Sequence, residues 1–243
     1  MKTSARHRLS APTMGLMAAT AFSLLARSTA PATAGEICAA PRDADAVLAT
    51  IDAQQRLAWI DAHLVTTAHR ARLWTWGWSA GLGLATAANL APLAFVSADQ
   101  RIDWYVGAGT TVIGIVPLLI APLDVVADAT QLRRAIAQRL PQDGTCALLA
   151  DAEGRLARDA GNQIDGRRWW LHVGNVLLNS GVGLFLGLGF HHWGAGALNA
   201  VSGSLIGEAI ILTQPTTSIA DFAAYRAGKV FTVSPPVGYQ AAF

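Results

Sequence analysis

Four long apolar segments alternate with polar stretches along this chain, at roughly 74–97, 104–126, 169–190 and 194–213. Each segment is close to the ~20 residues that a helix needs to cross a bilayer. Seven of the eight tryptophans lie at the boundaries of these segments, where aromatic rings sit at the level of lipid headgroups. The pattern predicts an all-α, polytopic membrane protein with four transmembrane helices arranged as two hairpins.

A second pattern precedes each predicted hairpin. Apolar residues from Leu57 to Ala71 recur at helical spacing with charged residues between them, and the stretch from Leu148 to Ile164 has the same character. We therefore expect an amphipathic helix before each hairpin. The chain then divides into two units, 35–126 and 127–213, which form a weak parallel repeat or resemble each other only because all apolar hairpins do.

Both ends of the chain differ from the segments between them. Basic residues from Lys2 to Arg8 precede an apolar run and the small residues at 32–34, which is the order of parts in a secretory signal peptide. We expect residues 1–34 to be a cleavable signal peptide. The stretch 214–243, which ends in a Pro- and Gly-containing segment, is expected to be an extended C-terminal tail.

Composition supports the membrane class, because 52% of the residues are hydrophobic and only 14% are charged. Removal of the signal peptide would leave 14 basic and 16 acidic side chains. A chain so nearly neutral gives no reason to expect a nucleic-acid partner, and the lipid bilayer is the expected one.

The chain has two cysteines, Cys38 and Cys146. An even number of predicted crossings separates them, so they lie on the same side of the membrane. If that side is the oxidising periplasm, we expect a disulfide between them. The alternative is two unpaired, small apolar residues. Two thiols without a third ligand nearby do not indicate a metal site, and we expect no cofactor.

Two signals conflict on orientation. A cleaved signal peptide places the mature N-terminus in the periplasm, together with nearly all of the basic residues. The tendency of Lys and Arg to stay in the cytoplasm favours the opposite orientation, since Arg101 is the one basic residue in the remaining loops. We give the signal peptide the greater weight and expect a multi-pass protein of a bacterial inner membrane with periplasm-facing amphipathic segments.

Small residues spaced four apart occur on three of the predicted spans, as Gly77 with Gly81, Gly183 with Gly187 and Gly203 with Gly207. Glycine lets helix backbones approach closely. These faces can form a compact bundle within one chain or the interface of a homo-oligomer.

Polar residues inside the predicted spans are costly unless they find partners. His172, Asn175 and Asn179 fall at i, i+3 and i+7, so they share one face of the third span. Glu208 on the fourth span is expected near the depth of His172, and either His172 or Arg168 is its expected partner. Asp124, at the end of the second span, is expected on the same membrane face. This polar intramembrane cluster predicts a proton or cation site, or else a clasp that fixes helix register.

Other motifs give weaker signals. Ser79 lies in a G-x-S-x-G pattern, but a nucleophile elbow needs a strand before it, and a membrane helix is expected here. His191 and His192, with Asp99 or Asp103 from the other turn, form a weak candidate metal site. Nucleotide-binding and zinc-hydrolase fingerprints do not occur in the sequence.

The sequence therefore predicts no catalytic residues. The expected function is non-enzymatic, as a scaffold or interaction protein of the bacterial cell envelope. The alternative is a small transporter or channel component that uses His172, Asn175 and Glu208.

Overall fold

The computed structural model of the protein describes residues 36–138 and 144–230, and every regular element in this part is helical. The all-α class is therefore confirmed for the described residues. The predicted signal peptide and most of the predicted tail lie outside them. The α-helices are α1 (Ala53–Leu90), α2 (Arg101–Ile120), α3 (Val125–Gln138), α4 (Gly144–Asp165), α5 (Trp169–Phe190), α6 (Trp193–Thr213) and α7 (Thr217–Arg226). Two short 3-10 helices, Ala46–Thr50 and Ala91–Ala94, flank α1.

Three stretches of helix are long and apolar enough to cross a membrane: Arg101–Gln138, Trp169–Phe190 and Trp193–Arg226. The first stretch consists of α2 followed by α3, and the third consists of α6 followed by α7. In both stretches the apolar residues belong to the first helix, and the helix after the break is more polar. Large apolar side chains on these helices point outward, as Leu177 and Leu198 do with 66% and 70% of their surface exposed. Such surface is stable in lipid and unfavourable in water.

The predicted first span differs from the other three. Its residues continue the amphipathic helix without a break, and together they form the single 38-residue helix α1. Three tryptophans and several polar residues lower the hydropathy of its second half, and α1 is not among the three helices above. The fourth crossing remains a prediction.

The second predicted span ends earlier than expected. We predicted a helix over 104–126, but α2 ends at Ile120 and a new helix, α3, starts at Val125. Pro122 disfavours helical geometry at the residue before it, and Ala121 has φ −128° and ψ 65°. Asp124 thus precedes the first turn of α3, where its backbone oxygen accepts hydrogen bonds from Ala127 and Asp128.

A buried core holds together residues 36–72, α3, α4 and α7, which we call the head domain. Its amphipathic helices bring together Ile60 and Leu64 of α1, Leu132 of α3 and Leu149 of α4, all almost fully buried. Burial of such side chains stabilises a domain by roughly 1.5–3 kcal/mol each. The second half of α1 (74–90) with α2, α5 and α6 forms the other part of the molecule, which we call the apolar bundle.

The C-terminal region corrects one prediction. Residues 217–226 form helix α7, where we had predicted an extended tail. The helix forms because it packs on the head domain: Tyr225 is buried, and its hydroxyl accepts a hydrogen bond from Nε of Arg56 at 2.9 Å. Ser218 is also buried and is hydrogen-bonded to Gln163 of α4.

Cys38 and Cys146 lie at disulfide distance, with their Cα atoms 5.4 Å apart. Cys38 belongs to the segment before α1 and Cys146 to the first turn of α4. The same segment is held by Arg56, whose Nη1 donates to the carbonyl oxygen of Cys38 at 2.9 Å and whose Nη2 pairs with Glu153. A disulfide here would fasten the start of the head domain to its middle.

We predict that Cys38→Ser lowers the free energy of unfolding by about 2–5 kcal/mol, because the cross-link no longer restricts the unfolded chain. The measurement is denaturant unfolding of the detergent-solubilised protein, with and without reductant. Reductant should destabilise the wild type and leave the variant unchanged. Two alkylatable thiols in the unreduced wild type would contradict the disulfide.

Asp159 of α4 is a buried acidic residue of the head domain. It is 2% exposed, and neither of its carboxylate oxygens has a hydrogen-bond partner among the described residues. Burial, together with the nearby carboxylates of Asp128 and Asp124, raises the pKa of Asp159 to about 7, against the opposing charges of Arg158 and Arg155.

We predict that Asp159→Asn stabilises the protein above neutral pH. In the unfolded chain an Asp releases its proton near pH ~3.9. Between that value and about 7, the folded protein keeps a proton that the unfolded chain has lost, so the stability of the wild type falls as pH rises. The full loss is on the order of 4 kcal/mol. Thermal unfolding from about pH 5 to pH 8 should show this decline in the wild type and a flatter profile in the variant.

Asp165→Asn is the control, because Asp165 lies on the same helix but is exposed and pairs with Arg168 at the surface. It should keep the wild-type profile. If Asp159→Asn also declined with pH as the wild type does, the buried carboxyl would not be the cause.

Candidate functional site

Helices α5 and α6 pack antiparallel, and glycines set their separation. Gly183 and Gly196 face each other so closely that a Cβ on either would meet the backbone of the other. A Cβ on Gly203 would meet the side chain of Asn179, and one on Gly207 would meet that of Asn175. The missing side chains therefore provide the space in which the two asparagines lie.

Within this interface four predicted residues form one hydrogen-bonded series, which we call the polar chain: His172, Asn175, Asn179 and Glu208. Nδ1 of His172 lies 2.5 Å from Oε2 of Glu208. Nδ2 of Asn175 donates to Oε1 of Glu208 and to the carbonyl oxygen of Ser204, each at 2.9 Å. Nδ2 of Asn179 donates to the side-chain and backbone oxygens of Asn175, each also at 2.9 Å.

Two residues that we expected near this cluster lie elsewhere. Asp124 accepts a hydrogen bond from Nδ2 of Asn162 at 2.6 Å, in the head domain, because α2 ends before it. Arg168 pairs with Asp165 at 2.9 Å and not with Glu208. Of the two partners expected for Glu208, His172 is therefore the one it has.

A cavity of about 410 Å³ lies beside the polar chain, between α1, α2 and α6. Its size is within the range of small-molecule binding sites. Apolar residues such as Leu198 and Ile206 form part of its wall, and amide and hydroxyl groups form the rest. The polar lining residues are Asn89, Gln100, Asp103, Thr110, Thr111, Asn199 and Ser202.

The cavity and the polar chain meet at Gly203, which lines the cavity and is in contact with Asn179. The polar groups along α6 extend from Glu208 to His192, the residue before this helix. That separation is 16 residues, or about 24 Å at 1.5 Å per residue. The hydrocarbon core of a bilayer is ~30 Å thick. Polar side chains thus lie along α6 over a length equal to most of that thickness.

His192 lies in the turn between α5 and α6 and contacts Asp103, one of the residues that line the cavity. Its Nδ1 lies 2.7 Å from Oδ1 of Asp103, and its Nε2 lies 3.2 Å from Oδ2 of Asp99. The hydrogen bond to Asp103 raises the pKa of His192, and Asp99 adds to the effect against partial desolvation. The neighbouring His191 adopts a left-handed conformation (φ 61°) that ends α5.

Our sequence reasoning missed Asn89, Thr111 and Asn199 as lining residues. Their signal was available, since each is polar within an apolar segment. Asn89 and Thr111 come from the first two predicted spans and Asn199 from the fourth, and no helical periodicity relates positions on different helices. Whether these residues come together depends on how α1 packs on α2, where the Oγ1 atoms of Thr86 and Thr111 are 2.7 Å apart.

Ser79 lies in the middle of α1, and no strand precedes it in the described part of the chain. A group of potential ligand atoms from Glu36, Cys38 and Cys146 lies within 4.8 Å of one another. A disulfide would use both of these sulfurs.

No protein-family model matches the chain, and neither a curated protein nor a solved structure shows significant similarity to it. The functional argument therefore depends on the geometry described above.

We predict that Gly203→Ala lowers the melting temperature of the detergent-solubilised protein by several degrees. The added methyl group would displace Asn179 and open the polar chain, a packing defect of about 1–3 kcal/mol. Gly181→Ala on α5 is the matched control, because a Cβ there has nothing within 4 Å. Equal melting temperatures for the two variants would contradict the close packing of α5 on α6.

Proposed function

We propose that this protein is a component of a small transporter or channel of the bacterial inner membrane, and that it passes a small cation, protons included, along the polar chain. One observation carries the proposal: a hydrogen-bonded Glu–His pair and two asparagines continue into a polar cavity through an otherwise apolar bundle. Ionisable groups within membrane helices are costly, and they commonly mark proton or ion pathways.

The proposal takes the second half of α1 as a fourth crossing, so that α1–α2 and α5–α6 form two hairpins. Antiparallel packing supports the first hairpin. Asn89 contacts Gly107, Thr86 is hydrogen-bonded to Thr111, and Leu82 contacts Gly114, so residue numbers rise on α2 as they fall on α1. The low hydropathy of α1 is acceptable in a bundle because polar side chains such as Thr86 and Asn89 face α2 and the cavity.

We place the head domain in the periplasm. Its basic residues oppose that side by the positive-inside tendency, but six of the described arginines pair with carboxylates, which offsets their charge. The paired arginines are Arg56, Arg133, Arg155, Arg158, Arg168 and Arg226. An oxidising compartment also suits the neighbouring sulfurs of Cys38 and Cys146.

A scaffold role remains the competing proposal. It needs only that the polar chain fixes the register of α5 on α6, as interhelical hydrogen bonds do in many membrane proteins. The two proposals differ in whether Glu208 must exchange a proton or cation, and a flux measurement separates them.

We predict that vesicles containing the purified protein take up protons faster than protein-free vesicles when valinomycin and a potassium gradient set the membrane potential. Glu208→Gln should reduce this uptake by about a hundredfold, the scale of losing a positioned proton-transfer group. The readout is the quenching of a pH-sensitive dye trapped in the vesicles.

Asp43→Asn is the control, since this carboxylate is highly exposed in the head domain and distant in sequence from both hairpins. It should keep wild-type flux. Glu208→Asp keeps a carboxylate and should retain part of the flux, which separates a chemical role from misfolding. Wild-type vesicles no more permeable to protons or small cations than empty ones would contradict transport and favour the scaffold.

A further inference from the structure

Several side-chain oxygens that line the cavity can accept hydrogen bonds. The hydroxyl hydrogens of Thr110 and Ser202 are directed to carbonyl oxygens of their own helices, at 2.9 and 2.7 Å. A hydroxyl that has donated its one hydrogen keeps lone pairs that can accept. These two residues therefore present oxygen acceptors to the cavity.

Two asparagines add further acceptors. Nδ2 of Asn89 donates to the carbonyl oxygen of Ala85 at 2.8 Å, and Nδ2 of Asn199 donates to that of Ala195 at 3.1 Å. Both side-chain oxygens lie beside Gly107, where a Cβ would meet Asn89 Oδ1 and would lie 3.6 Å from Asn199 Oδ1. Glycine at this position leaves room for the oxygen of Asn89 and so lets both oxygens lie close together.

Charge and shape narrow the choice of ligand. Asp103, which His192 contacts through one carboxylate oxygen, is the one charged side chain among the residues that line the cavity. Trp104, an aromatic residue of a type that can bind a cation, also lines it. Arg101, which begins α2, does not line the cavity. Apolar wall residues, among them Leu198 and Ile206, suit a short hydrocarbon group. The cavity is also much larger than a bare inorganic ion requires.

We propose that this cavity binds a small primary alkylammonium ion, with its N–H groups directed at the oxygens of Asn89, Asn199 and Thr110 and its carbon chain against the apolar wall. The inference rests on the proposed function, since it names the class of cation that enters the bundle. Several oxygen acceptors line the cavity and no cationic side chain is among its lining residues, so a ligand that carries both the charge and the donors satisfies them.

The test uses isothermal titration of the full-length, detergent-solubilised protein with four probes that share a four-carbon chain. We expect n-butylammonium to bind saturably. The butyltrimethylammonium ion has the charge without N–H donors and should bind about tenfold more weakly or worse, given the worth of hydrogen bonds to charged groups. Neutral n-butanol and anionic butyrate should show no saturable binding.

Two variants locate the site. Asn199→Leu and the milder Thr110→Val should each weaken n-butylammonium binding by about tenfold. Thr66→Val is the matched control, because the hydroxyl of Thr66 donates in the same way to the carbonyl of Ala62 but lies exposed on the head-domain part of α1. It should bind like the wild type.

Equal binding of n-butylammonium and butyltrimethylammonium would overturn the role of the N–H donors. Unchanged binding in both cavity variants would overturn the site, and so would the absence of n-butylammonium binding to the wild type. Proton flux without n-butylammonium binding would leave the proposed function standing and remove this inference. Binding without any flux would do the reverse.

Discussion

The constraint on which the rest of the structure depends is that a polar group surrounded by lipid must find its partner within the protein. Glu208 lies within the apolar helix α6, and its carboxylate accepts from His172 and Asn175. Asn175 also donates to the backbone of α6 at Ser204, and Asn179 donates to the backbone and side-chain oxygens of Asn175. The interface of α5 and α6 follows from this requirement, because only glycines at 203 and 207 leave space for the asparagine side chains.

The head domain follows the opposite rule, since water surrounds it and apolar side chains supply its stability. Its core gathers one face of α1, α3, α4 and α7. Charged groups enter this core only with partners, as Arg56 does with Tyr225 and Glu153, except for Asp159. Helix α1 runs from the head domain into the apolar bundle without a break and so belongs to both parts.

Helical periodicity was sufficient to predict which polar residues share a face. His172, Asn175 and Asn179 are spaced at i, i+3 and i+7, and the short turn after α5 indicated the depth of Glu208. Other features depended on details that periodicity does not contain. The place of Asp124 depends on where Pro122 ends α2, and α7 forms because Tyr225 finds a buried partner in α1. The cavity depends on how α1, α2 and α6 are rotated relative to one another when they pack. The sequence of a single helix does not determine that rotation.

The hydrogen bond between His172 and Glu208 is tested most directly by solid-state NMR of the protein in lipid bilayers, with nitrogen-15 in the His172 ring and carbon-13 in the Glu208 side chain. The account predicts strong dipolar coupling between Nδ1 of His172 and the Glu208 carboxyl carbon, as expected for atoms joined by a 2.5 Å N···O contact. Absence of that coupling, together with proton exchange of both groups at the rate of bulk water, would contradict a polar chain enclosed by the bundle.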